Sequence, residues 1–170
     1  MVSGMLTDGL GRAGAGADRF ALGAAGCFFL VGLVCGAWKY VAILRAPDAR
    51  APLYVDVAHR AALLYAFACA LLAELCRRSS LAETTKLVSC AVLVVFFAIT
   101  VAGYVAHGAL RDTDNQLARP HRFGRRTIAP AVMMCFMVLL AVSEIAAFVV
   151  LLAGFLADAA QAGAGGPLGR

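Results

Sequence analysis

The chain has 170 residues, 62% of them hydrophobic and only 15% charged, with a formal net charge of +5 and a mean hydropathy of +0.84. A soluble domain carries roughly a quarter charged residues, so this composition excludes an ordinary water-soluble domain. The basic balance calls for no nucleic-acid partner, because basic loops beside a bilayer face anionic lipid.

Residues 1–19 read as a flexible Gly/Ala-rich segment. A helix needs about 20 mostly apolar residues to cross the hydrocarbon core, and four stretches reach that length. The first runs from Phe20 to about Leu44, and the second from about Tyr54 to Leu75. The third runs from about Thr85 to Leu110, and the fourth from about Thr127 to Leu156. The junctions RAPDARAP, CRRSSLAET and RDTDNQLARPHRFGRR gather charge, Pro and Gly. Open sheets leave backbone groups unpaired in lipid, and the period-2 alternation of a barrel is absent. The expected fold is therefore all-α: an integral membrane bundle of four transmembrane helices over 20–157, with a flexible tail over 158–170. Short connections make consecutive helices antiparallel neighbours. Lys and Arg are more numerous around loops 1–2 and 3–4, which favours a cytoplasmic location for those loops.

The six cysteines, Cys27, Cys35, Cys69, Cys76, Cys90 and Cys135, form no CxxC. They read as small apolar packing residues rather than a disulfide or zinc framework. Gly32 and Gly36 form a GxxxG step that permits close helix approach.

Ionisable groups inside spans are costly and default to functional hypotheses. His59 lies at the start of helix 2. It is either an interfacial helix-end histidine or a ligand that Asp56, at i−3, orients. Thr100, Tyr104, His107 and Arg111 fall on one stripe of helix 3. That stripe either lines a cavity or belongs to the aromatic and interfacial belt. Antiparallel order puts His59 and His107 in the same leaflet, with loop 3–4 over that side. Glu144, near the middle of helix 4, follows Met133, Met137 and Leu140 on one face. It is either a substrate-contacting acid or a partner for an interhelical hydrogen bond from Ser, Thr or Lys39. Walker, GxGxxG, HExxH and GxSxG patterns are missing. The remaining toolkit suits an apolar cavity and small apolar substrates.

These residues resemble those of bacterial styrene oxide isomerase and its relative hydroxylaminobenzene mutase, small four-helix membrane enzymes. The similarity is carried by FLVGLVCGAWKYVAI in helix 1, AHRAALLY in helix 2, AGYVAHG in helix 3 and the 45-residue step from His59 to Tyr104. Asn115-Gln116 resembles an Asn-Gln pair of the family's loop. The resemblance implies a homotrimer in a bacterial inner membrane that binds haem b, with His59 as iron ligand and Tyr104 facing the substrate. It implies ferric haem acting as a Lewis acid that opens a small aryl epoxide to an aldehyde by a 1,2-shift. Tyr65 stands where the family carries Asn, and Phe96 where it carries a carboxylate. The expected catalytic set is therefore Tyr104, Tyr65 and Glu144, and the expected cofactor-binding set is His59, His107 and Asn115. Two other readings fit the residues. In one, His59 and His107 are bis-His ligands of an electron-transferring haem b subunit. In the other, the protein is a small transporter or assembly subunit.

Overall fold

The computed structural model describes residues 16–164. Its helices are α1 (Ala17–Arg45), α2 (Leu53–Arg77), α3 (Glu83–Leu110) and α4 (Pro130–Ala164). All four are long and apolar enough to cross a membrane. They carry outward-facing Leu64, Phe67 and Ile145 at 67%, 68% and 65% exposure. Large apolar surfaces of that kind are stable in lipid and not in water. The protein is an all-α four-helix integral membrane bundle.

The packing follows from small residues. The buried face of α1 is Ala17, Ala21, Ala25, Phe28, Gly32 and Cys35. It meets an α2 face that includes Ala58, Ala62, Ala66, Cys69, Ala73 and Cys76. Small side chains at steps of three and four let two backbones approach closely, which is how helices gain contact without a hydrophobic driving force. The GxxxG step works inside the protomer: a Cβ on Gly32 would meet Leu63 at 2.6 Å, and one on Gly36 would meet His59 at 2.8 Å. By contrast, α4 is held loosely, with Ala147 and Leu151 as its buried hydrophobics.

Three boundaries differ from the sequence expectation: α1 already begins at Ala17, inside the segment 1–19 expected to be flexible, and both ends of the fourth helix shift. The fourth helix starts at Pro130, not at Thr127. Pro fits the first helical position, where its missing N–H is not needed. Arg126–Thr127 instead pairs with Arg122–Phe123 as a two-stranded antiparallel ribbon, β1 and β2. Gly124, at φ +60°, makes its two-residue turn. The helix also continues past Asp158 to Ala164, because Asp158 accepts hydrogen bonds from the Ser80 N–H at 2.5 Å and hydroxyl at 2.6 Å. The flexibility expected of residues 1–15 and 165–170 lies outside the described residues.

That end of the bundle is a polar staple. Glu83 caps α1 by accepting the N–H groups of Gly16 at 3.1 Å and Ala17 at 2.6 Å, and it pairs with Lys86 at 3.0 Å. Cys76 and Cys90 bring their sulfurs to 3.3 Å beneath it. Cys35, Cys69, Cys76 and Cys90 are buried, whereas Cys27 and Cys135 are exposed.

Candidate functional site

His59 lies against α1. Its Nδ1 is 2.8 Å from the carbonyl oxygen of Gly32. A carbonyl only accepts, so Nδ1 carries the proton and the neutral ring keeps its lone pair on Nε2. Nε2 has no hydrogen-bond partner among the described residues and is not sealed from its surroundings. Gly36 makes room for the ring. The i−3 carboxylate does not orient it: Asp56 pairs with Lys39 at 2.5 Å and Arg60 at 2.9 Å. The two cations outcompete a neutral imidazole for the carboxylate, and the backbone of α1 takes over its expected role.

Tyr104 and His107 line a different space. With Tyr65, Thr100 and Gln116 they face a cavity of about 360 Å³, walled on the α4 side by residues including Met133, Phe136 and Met137. Thr100, Tyr104 and His107 thus share one wall, as their helical spacing requires. The fourth member of that stripe, Arg111, leaves it: its φ of +50° ends α3 in a left-handed cap. That reversal folds loop 3–4 back over the cavity. Asp112 Oδ1 lies 2.8 Å from Nδ1 of His107, and its other oxygen accepts the N–H of Gly124. The hydroxyl of Tyr54 accepts the N–H of Gln116 at 2.6 Å. Burial pushes the Asp112 carboxyl up, but the hydrogen bonds from His107 and Gly124 outweigh it, and its pKa falls below the ordinary carboxylate value.

Aromatic packing fixes the site further. Tyr104 stacks on Tyr54 with centroids 5.9 Å apart, and Tyr65 stacks on Phe97 at 4.2 Å. Tyr54 and Tyr65 are eleven residues apart on α2 and share a face. His59, five residues from Tyr54, points about 140° away, at about 100° of turn per residue. The two histidines therefore stand in separate surroundings: His59 against Gly32 and Gly36, His107 among Tyr54, Asp112 and Phe123.

The other nominated residues lie elsewhere. Asn115 is exposed in a turn, its Oδ1 accepting the Leu117 N–H at 3.0 Å, while its neighbour Gln116 lines the cavity. Glu144 lines a separate apolar cleft of about 240 Å³ with residues such as Leu72, Phe97 and Phe148. Its Oε1 is buried without a hydrogen-bond partner, and Lys39, once a candidate partner, is committed to Asp56. Sequence reasoning did not single out Asp112 or Tyr54. The only signal for Asp112 was a carboxylate five residues past His107, which becomes a contact only because Arg111 reverses the chain. A larger crevice of about 700 Å³ at the same face is lined by loop and helix-end residues including Arg45, Arg50 and Arg111, and holds none of the nominated side chains.

No group of three or more His, Cys, Asp or Glu that could hold a metal ion occurs among the described residues. Comparison with family models, curated proteins and solved structures found no match.

Proposed function

We propose that this membrane protein is a haem-dependent isomerase that converts a small aryl epoxide of the styrene oxide type into an aldehyde. One observation carries the reading. His59 donates from Nδ1 to Gly32 and keeps Nε2 free, the arrangement in which a backbone acceptor fixes an imidazole and raises its basicity toward a metal. Arg60, beside His59 in sequence and largely exposed, would be the cation that meets a carboxylate of the porphyrin. Ferric haem held there would supply a Lewis-acid iron, for which no redox turnover is needed.

The chain's own residues do the rest. The apolar walls given by Met133, Phe136 and Met137 take an aromatic ring and exclude water. The Tyr104 hydroxyl, which has no partner among the described residues, is a donor for an epoxide oxygen. Tyr65 narrows the same space. Glu144 lies outside this cavity, in the neighbouring apolar cleft.

His59 and Tyr104 face different sides of α2. A homo-oligomer, the trimer that the family resemblance implies, would bring the His59 side of one copy to the Tyr104 cavity of the next. The separate surroundings of His59 and His107 weigh against bis-His ligation within one protomer. The test is product analysis: haem-supplemented membranes should turn styrene oxide into phenylacetaldehyde, and His59→Ala membranes should not. Absence of aldehyde from protein shown to carry haem would refute the isomerase reading.

A further inference from the structure

The His107 end of the cavity has chemistry that an epoxide does not use. His107 is 5% exposed, and its Nδ1 faces Asp112 Oδ1 at 2.8 Å. An ionised carboxylate only accepts, so Nδ1 carries the proton, and it is the neutral ring that then presents a lone pair at Nε2. Nε2 has no hydrogen-bond partner among the described residues and is not sealed off. Thr100, two turns along the same helix face, places its buried hydroxyl on the same cavity wall beside Tyr65. Phe123, edge-on to the imidazole at 5.3 Å, and Tyr54, at 5.1 Å, hold the ring in place. The site thus offers a fixed acceptor at one end, hydroxyls further along, and apolar walls between.

We infer that this cavity is a binding site for a single-ring phenol, whose hydroxyl donates to Nε2 of His107 while its ring packs among Met133, Phe136 and Met137. The size fits, because a dry cavity of about 150 Å³ already holds benzene and this one is about 360 Å³. The direction of the hydrogen bond sets the class. A phenol gains the bond to His107 that a ligand with only acceptors forgoes, whereas an epoxide at the same walls would take its hydrogen bond from Tyr104 and leave the His107 end unused. One such hydrogen bond is worth about tenfold in binding. The inference uses the cavity but does not rest on haem at His59.

The Asp112 carboxylate gives the test its sign. The Gly124 N–H always donates, so in Asp112→Asn the amide oxygen stays on Gly124 and the amide NH2 turns to His107. That forces the proton from Nδ1 to Nε2 and converts the acceptor into a donor. The experiment is 19F NMR of 4-fluorophenol and 4-fluoroanisole with the purified full chain in detergent, with empty micelles as the blank. The wild type should bind the phenol about tenfold or more tighter than the anisole. Asp112→Asn should erase the preference, because a phenol oxygen and an ether oxygen can both accept from an Nε2–H, and His107→Leu should abolish it too. His59→Ala should keep the wild-type preference, which separates this site from the haem reading. Equal binding of both probes by the wild type, binding no greater than micelle partition, or a folded Asp112→Asn protein with the preference intact would each overturn the proposal.

Discussion

The imidazole of His59 fills the space that a side chain at residue 36 would need. A Cβ on Gly36 would stand 2.8 Å from its Cε1 and 3.0 Å from its Nδ1. Gly36→Ala must therefore push the ring out of its seat and strain the hydrogen bond to Gly32. Overpacking of this kind costs about 1–3 kcal/mol. The variant should unfold at lower temperature in detergent and retain less haem per folded protein. Wild-type melting and wild-type haem content together would show that the ring is not seated there.

Asp112 gives the stability a pH dependence. Its folded pKa is lowered, so its contribution is fully present above the unfolded value of about 3.9. The contribution is lost as pH falls through the folded value. Between pH 6 and pH 3 the wild type should lose more melting temperature than Asp112→Asn, which has no carboxylate to protonate. Equal losses for the two proteins would mean that Asp112 does not hold the loop.

Glu144 places an unpartnered oxygen in an apolar cleft. A buried polar atom without a partner costs about 1–3 kcal/mol. Glu144→Leu should therefore raise the melting temperature, with Leu72, Phe97 and Phe148 accepting the new side chain. If the acid assists the isomerisation, activity should fall in the same variant. A destabilised Glu144→Leu would reveal a partner for the acid.

The two halves of the proposed reaction can be separated genetically. If His59 of one copy serves Tyr104 of the next, His59→Ala and Tyr104→Phe should each lack activity alone and regain some when co-expressed. Random mixing in a cyclic trimer leaves about a quarter of such interfaces intact. Product assays on membranes carrying both variants read this directly. Recovery no greater than the sum of the two single variants would place both residues in one protomer.

The four spans were legible because length and apolarity alone decide what crosses a bilayer. The shared wall of Thr100, Tyr104 and His107 was legible because helical period is local. The partner of His59 was not. Asp56 was the sequence neighbour that promised to orient it, but Lys39 and Arg60 claim that carboxylate, and a backbone carbonyl on another helix takes its place. Asp112 was hidden for a similar reason: its contact with His107 depends on the left-handed turn at Arg111, which no side-chain pattern announces. Hydropathy runs smoothly through Thr127 and so does not mark the start of the fourth helix, which Pro130 and the ribbon before it set.

The most direct measurement is the Soret spectrum of the purified, haem-supplemented chain in three forms: wild type, His59→Ala and His107→Ala. The wild type should show a Soret band, His107→Ala should keep it, and His59→Ala should lose it. A band that survives unchanged in His59→Ala, or no band in the wild type, would contradict the assignment of His59 as the iron ligand.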